Sequence, residues 1–311
     1  MNKFREKAFL FLKGMGMGSA DIVPGVSGGS IALVTKIYEE LLASINSFDL
    51  TAIKLLAKFD IAAFWKHVNA GFLLTLFSGI LTSIFAFSKV ITFLIDKYPI
   101  PLWSFFCGLI LISAIIILRD IKRWTIVAIL MFPIGALIAY FITELPMISS
   151  PNNIWFTFTA GAIAICAMIL PGISGSFLLL ILGKYEFILH AVNERDIVIL
   201  GVFALGCITG LLLFSRVISW FLKNYHALTL SFLSGFMIGS INKIWPWKKI
   251  LTYRVSSSGA QKPLLTENIL PHVYLAETGQ EPAFLIAILA FLIGVVLVVG
   301  LERLAYNFRK E

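Results

Sequence analysis

Residues 24–28 of this 311-residue chain read Pro-Gly-Val-Ser-Gly, and residues 171–175 read Pro-Gly-Ile-Ser-Gly, 147 positions later. At the same spacing Gly14 corresponds to Gly161. A Pro-Gly pair followed by serine and glycine is typical of a tight turn that leads into a new helix. The turn therefore occurs twice, which indicates an internal duplication.

The spacing between matching residues changes further along the chain. Phe87-Ser-Lys-Val-Ile91 matches Phe214-Ser-Arg-Val-Ile218 at a spacing of 127. A weaker match at a spacing of 159, between residues 128–135 and 287–294, contains only apolar residues and glycine, so we base nothing on it. The changes in spacing place an insertion of 20 residues in the first half and one of 32 residues in the second half.

The composition is that of a membrane protein. Apolar residues make up 59% of the chain and charged residues 14%, and the mean hydropathy is +0.93. Soluble domains have about 45–50% apolar and about 25% charged residues. A disordered chain and an ordinary soluble enzyme are therefore excluded, and we predict an all-α polytopic membrane protein. The apolar stretch Ala8–Leu12 is too short for a signal peptide, so we expect the first residues to remain in the mature protein.

The net charge of +8 comes from short basic clusters between apolar segments. Clusters such as residues 119–124 (Arg-Asp-Ile-Lys-Arg-Trp) are typical of cytoplasmic loops, so we do not expect nucleic-acid binding. The cysteines Cys107, Cys166 and Cys207 lie singly in apolar segments and are interpreted as packing residues. We find no phosphate-binding P-loop and no metal-ligand spacing, and we expect no cofactor and no metal.

Each repeat is predicted to contain one broken helical hairpin and three spans. The first repeat, residues 1–146, has a hairpin at 8–46, an interfacial helix at 50–67 and spans at 69–96, 100–118 and 124–143. The second repeat, residues 147–311, has a hairpin at 154–192, spans at 197–222, 227–243 and 283–301, and a polar loop at 242–282.

The distribution of basic residues decides whether each broken stretch crosses the membrane. If it folds back, both termini, residues 47–67 and residues 119–124 lie on one side, and the segment 144–153, without Lys or Arg, lies on the other. This arrangement satisfies the positive-inside rule, whereas a single crossing does not. We therefore predict re-entrant hairpins, cytoplasmic termini and two repeats of inverted topology, an architecture common among secondary transporters.

The hairpin turns are the first candidate binding site. Irregular backbone at membrane depth occurs only within protein or beside a wet cavity, and a helix N-terminus attracts anions such as phosphate. The turns are Pro24-Gly25 and Pro171-Gly172, and the candidate phosphate-binding residues that follow them are Ser27, Gly28, Gly29 and Ser30 and, in the second repeat, Ser174, Gly175 and Ser176. The alternative is a pair of helix breaks with no ligand.

Charged residues within or near the apolar segments form the second signal. Lys89 and Arg216 occupy equivalent positions inside spans, and intramembrane charges usually mark a substrate path, although a snorkelling side chain is the alternative. The acids nearest the hairpins are Asp21, Glu39 and Glu186, which could carry a coupling proton or pair with the bases. Glu39 and Glu186 could equally be solvated residues at the rim.

An enzymatic alternative also fits part of the pattern. Gly-Val-Ser-Gly at 25–28 and Gly-Ile-Ser-Gly at 172–175 match the Gly-x-Ser-Gly pattern of intramembrane serine proteases. Such a protease needs a base beside the serine, and the four histidines all lie at span ends or in the polar loop. We therefore predict that the protein is not an enzyme.

The two long motifs resemble a known family. MGSADIVPGVSGGS at 17–30 and LPGISGSFLLLILGKYE at 170–186 are similar to the signature of the bacterial polyprenyl-phosphate transporters, and the resemblance extends over about residues 5–306. It implies a plasma-membrane protein that returns undecaprenyl phosphate, the lipid carrier of envelope glycan synthesis, to the cytoplasmic leaflet. The residues by themselves indicate only an anion transporter, so a carrier of a small soluble anion remains the alternative.

Overall fold

The computed structural model describes residues 3–23, 25–148, 150–255 and 261–310. The fold is helical, with one pair of strands. The helices of the first repeat are α1 (Lys3–Asp21), α2 (Gly28–Val34), α3 (Tyr38–Asn46), α4 (Leu50–Ala57), α5 (Ile61–His67), α6 (Ala70–Lys97), α7 (Pro99–Arg119) and α8 (Ile126–Glu144). The remaining elements are α9 (Ile154–Ile169), α10 (Gly175–Ile181), α11 (Tyr185–Asn193), α12 (Ile197–Asn224), α13 (His226–Ile244), β1 (Lys248–Val255), β2 (Gln261–Asn268), α14 (Pro271–Thr278) and α15 (Phe284–Lys310).

Within these described ranges, six helices are long and apolar enough to cross a bilayer: α6, α7, α8, α12, α13 and α15. They lie at the positions of the six predicted spans. Large apolar side chains such as Phe85, Leu213 and Leu285 are exposed on them, as expected for surfaces that face lipid. The chain therefore has the architecture of a polytopic membrane protein.

Equivalent residues of the two repeats make the same close helix contacts. A Cβ atom at Gly79 on α6 would collide with the carbonyl oxygen of Phe11 on α1. In the second repeat, a Cβ atom at Gly206 on α12 would collide with the carbonyl oxygen of Phe158 on α9. Small residues at these positions allow the helix backbones to approach closely.

The third span of each repeat packs on the second span of the other repeat. Gly108 on α7 lies against Phe291 on α15, and its equivalent Gly235 on α13 lies against Phe132 on α8. The glycines of the third spans, Gly135 and Gly294, make the reciprocal contacts. These contacts therefore explain the apolar match at a spacing of 159, on which the sequence analysis based nothing. The inverted orientation of the repeats in the membrane stays a prediction.

Each predicted hairpin consists of three helices. In the first repeat α2 folds back beside α1, because Gly28 packs against Met17 and Asp21, and Ile31 contacts Gly16. In the second repeat α10 folds back beside α9, where Gly175 packs against Ala164. A second break then separates α10 from α11, and these two helices make an angle of 108°.

Two segments differ from the prediction. The interfacial helix expected at 50–67 is divided into α4 and α5, because Phe59 has a positive φ of 55° and Asp60 caps α5 by accepting a hydrogen bond from the Ala63 N–H. The polar segment 242–282 contains the antiparallel pair β1–β2 and the helix α14 where only a loop was expected. The all-α prediction thus holds for the apolar part of the chain and misses this sheet.

Candidate functional site

The turn of the first hairpin is attached to the end of α9 in the second. The Ser27 hydroxyl donates to the Met168 carbonyl at 2.9 Å, and the Tyr38 hydroxyl donates to the Ile169 carbonyl at 3.1 Å. Both hydroxyl-bearing residues are buried, Tyr38 to 2% exposure. The first motif therefore contacts the end of α9, directly before the second motif.

Both turns also pack against the end of α13. Gly25 and Gly172 have positive φ angles of 90° and 105°, which glycine adopts without strain. Gly25 lies beside Lys243 and Ile244, whereas Gly172 lies beside Met237 and Ser240. Pro24 lies outside the described residues, and Pro171 is buried.

Protein groups already satisfy the first amides of α2. The Gly28 N–H donates to the Asp21 carboxylate at 2.7 Å, and the Gly29 N–H donates to the Ser27 hydroxyl at 3.1 Å. The Ser30 N–H donates to the Ser27 carbonyl at 3.0 Å. The Ser30 hydroxyl is buried without a hydrogen-bond partner in the part of the chain that is described. Asp21 thus caps a buried helix start.

The start of α10 is different. Ser174 makes no capping hydrogen bond, and its hydroxyl lies 2.6 Å from the Ser176 hydroxyl. Gly175 and Ser176 are half-buried, whereas Gly28, Gly29 and Ser30 are fully buried. The second hairpin therefore offers the more accessible of the two helix starts.

Lys89 and Arg216 do not lie in the contact between the turns. Both side chains are exposed, Lys89 on α6 and Arg216 on α12. The neighbour of Arg216, Ser215, is buried and forms part of a contact with α3. The two cations thus lie on the surfaces of equivalent helices.

The three acids lie in different surroundings. Asp21 is at the turn, whereas Glu39 and Glu186 are exposed. A nitrogen of His226 lies 3.3 Å from the Glu39 carboxylate.

Lys243 is a residue at the site that sequence reasoning missed. Its stem packs against Gly25 of the first hairpin, and its Nζ lies 4.3 Å from the centre of the Phe177 ring of the second. The sequence placed this lysine at the edge of a polar loop outside the membrane. The signal that could have indicated it was a single lysine in the last turn of a predicted span.

Asn46, the last residue of α3, makes a further polar contact between the repeats. The Asn46 amide donates to the Ser219 hydroxyl at 2.7 Å, and the Ser215 hydroxyl donates to the Asn46 side-chain oxygen at 2.7 Å. At the spacing of 147, Asn46 corresponds to Asn193, and at the spacing of 127, Ser215 and Ser219 correspond to Ser88 and Thr92. Asn193 and Thr92 are exposed, and Ser88 is half-buried. The repeats therefore differ in this contact.

An apolar groove of about 400 Å³ lies between α6, α7 and the end of α1. Its walls include Phe87, Ile91 and Phe105, and the exposed Tyr98 stands at its edge. Phe214 and Ile218, the equivalents of Phe87 and Ile91, flank the serines that bind Asn46. In the second repeat the equivalent surface of α12 is covered by α3. The groove thus lies where the first repeat leaves this surface uncovered.

In the described residues neither motif serine forms a hydrogen bond with a histidine. Ser27 bonds the backbone of Met168 and Gly29, and Ser174 bonds Ser176, so no histidine is placed as their base. The same residues contain no cluster of side chains able to hold a metal ion. The cysteines are free thiols.

Comparison with known proteins gives consistent matches. The model of a family described as VCA0040-like, undecaprenyl phosphate translocase-like, matches residues 17–262. A polyprenyl-phosphate transporter of Vibrio cholerae serotype O1 is 48% identical over 296 residues, which cover 95% of this chain and 96% of the relative. A polyprenyl-phosphate transporter of Staphylococcus aureus is 31% identical over 253 residues, which cover 76% of this chain and 85% of the relative. No solved structure matches the chain.

Proposed function

Because the chain belongs to the undecaprenyl phosphate translocase-like family, we propose that it carries a polyprenyl phosphate between the leaflets of the bacterial plasma membrane. The observation that carries this proposal is the apolar groove between α6, α7 and the end of α1. A prenyl chain needs an apolar path that reaches the lipid, whereas a carrier of a small soluble anion needs an enclosed polar site. The groove walls favour the lipid.

The phosphate headgroup would bind between the two hairpins. The candidate residues are Ser27, Gly28, Gly29 and Ser30 at α2 and Ser174, Gly175 and Ser176 at α10, with Pro24, Gly25, Pro171 and Gly172 shaping the turns. In the described conformation the α10 group is the accessible one, since Asp21 and Ser27 occupy the amides of α2. A rearrangement of the first hairpin would be needed before α2 could bind an anion.

The proposed topology places both termini, residues 47–67 and residues 119–124 in the cytoplasm. Residues 144–153 and 242–282 would then lie outside, and the two repeats would have inverted orientations. In this topology the contact of Asn46 with Ser215 and Ser219 lies on the cytoplasmic side, and Asn193, Ser88 and Thr92 lie on the outer side. We assign the described conformation to a state that is closed toward the cytoplasm and open outward.

Transport would exchange one contact for the other. In the opposite state Asn193 would bind Ser88 and Thr92, and α11 would occupy the groove as α3 occupies its equivalent surface. Inverted repeats commonly alternate in this way around a central site. Lys89 and Arg216 would attract the headgroup, Lys89 in the outer half of the membrane and Arg216 in the cytoplasmic half.

A transport assay tests this proposal. Reconstituted into proteoliposomes, the chain should accelerate the exchange of labelled undecaprenyl phosphate between leaflets. Arg216→Ala should impair transport far more than folding, and Arg216→Lys should restore part of it, since phosphate prefers the bidentate guanidinium. Lys223→Ala, at the exposed end of the same helix, is the matched control. Exchange no faster than in protein-free vesicles would refute the proposal.

A further inference from the structure

Two lysines flank the connection between α13 and β1. Lys243 lies in the last turn of α13, and Lys248 is the first residue of β1. Both are half-buried, and the charge of Lys243 acts on Lys248. The backbone that carries Lys248 is held by its neighbour Trp247, a buried residue whose indole N–H donates to the Pro282 carbonyl at 2.9 Å. The polar segment therefore holds a second cation beside the first.

The negative charge near this pair is insufficient to balance it. Glu144 is the carboxylate whose charge acts on both lysines, so one negative charge faces two positive ones. Neither Lys243 nor Lys248 forms an ion pair with a carboxylate within the described ranges. Partly burying an ammonium group without a paired anion is costly, and binding an anion offsets this cost.

The lysine pair adjoins both parts of the proposed lipid site. Lys243 contacts the turn of the first hairpin at Gly25 and the first turn of α10 at Phe177. The Cys107 thiol donates to the carbonyl of Ile244, the residue after Lys243, at 3.4 Å, and Phe106, beside Cys107, lines the apolar groove. A phosphate monoester at the lysines would therefore have an apolar path for its chain close by.

We infer that Lys243 and Lys248 form the outward-facing anion site that binds the phosphate monoester of the carried lipid. This inference rests on the proposed function and deepens it. It also gives the segment 242–282 a role, because this segment fixes Lys248 at the mouth of the site. Lysine suits this task because its ammonium group is a compact point charge, from which the phosphate monoester can dissociate again.

The test compares two ligands that differ only in charge. The binding of farnesyl phosphate and of farnesol to the purified full chain in detergent would be measured for wild type, Lys243→Met, Lys243→Arg and Lys248→Met. Lys249→Met is the matched control, because Lys249 is the next residue along β1 but pairs with Glu277 at 2.6 Å. Thermal stability would be measured for each variant.

Each methionine variant should lose at least about tenfold in affinity for farnesyl phosphate, the loss expected for one charge-assisted hydrogen bond, and should keep its affinity for farnesol. Lys243→Arg should retain most of the affinity, and Lys249→Met should bind as wild type. Equal losses for both ligands would indicate a structural role and overturn the inference.

The remaining outcomes separate the inference from the proposed function. An unchanged preference for the phosphate in both methionine variants would overturn the lysine assignment and leave the proposed function standing. A wild-type chain without any preference for farnesyl phosphate over farnesol would overturn both. Inorganic phosphate should displace farnesyl phosphate only at a far higher concentration. Displacement at a concentration equal to that of farnesyl phosphate would show that the lysines bind a soluble anion, and would overturn their assignment to the lipid.

Discussion

Asn46→Ala should shift the protein away from the state that is closed toward the cytoplasm. The substitution removes the two 2.7 Å hydrogen bonds that join α3 to Ser219 and Ser215. Hydrogen bonds between membrane helices contribute about 0.6 kcal/mol on average and up to about 1.7 kcal/mol each. Ser215 keeps a bond to the Leu212 carbonyl at 3.3 Å, so no buried hydroxyl is left unpaired. The closed state should lose about 1–2 kcal/mol, a population shift of about 5- to 30-fold.

Cross-linking of the equivalent pair on the other side measures this shift. Cysteines replacing Asn193 and Thr92, in a chain whose native cysteines are changed to alanine, should react with a short bifunctional thiol reagent only in the opposite state. Asn46→Ala should increase the reaction rate by the same 5- to 30-fold. The control is Asn224→Ala on α12, since Asn224 bonds the Trp220 carbonyl of its own helix. A rate within twofold of the parent in a well-expressed variant would refute the exchange of contacts.

Three further outcomes are expected. Gly79→Leu should lower the thermal stability of the solubilised protein strongly, because its side chain would collide with α1, whereas Gly201→Leu, with nothing within 4 Å, should be tolerated. Ser27→Ala should reduce lipid transport only partly, because it removes a helix cap that contributes about 0.5–2 kcal/mol. Gly28→Val should reduce transport more, because its Cβ would lie 2.6 Å from the Asp21 carboxylate. Complete loss of activity in the serine variant, together with an active valine variant, would favour the protease alternative. Burial and then the charge of Lys243 lower the pKa of Lys248 to about 8, against smaller opposing effects of Cys107 and Glu144, so farnesyl phosphate affinity should fall from pH 7 to pH 9 as this charge is lost, and Lys248→Met should flatten the titration.

The sequence was sufficient for the parts of the fold that depend on local pattern. Apolar length placed the six spans, and the repeated Pro-Gly motif placed both turns, because these features need no knowledge of distant neighbours. Gly14 and Gly161, which match in the sequence, also make equivalent contacts, with Leu76 and Phe203. The match at a spacing of 159 shows the limit of inference from sequence, because apolar residues recur by chance. Its meaning becomes clear from structural contacts such as that of Gly135 with Phe232.

The candidate site was predictable only in part. The motifs identified the residues around Ser27 and Ser174, but a sequence cannot show that Asp21 already occupies an amide of α2. Nor can it show that Lys243 reaches Gly25, because that contact joins residues more than two hundred positions apart. The exposure of Lys89 and Arg216 likewise depends on which face of each span turns toward its neighbours.

The exchange of third spans between the repeats has a consequence for how the protein is made. Residues 1–146 leave the ribosome first, yet α7 and α8 find their close-packed partners only in α15 and α13. Until the second half has been inserted, Gly108 and Gly135 face lipid or the insertion machinery. Assembly must therefore finish late in synthesis.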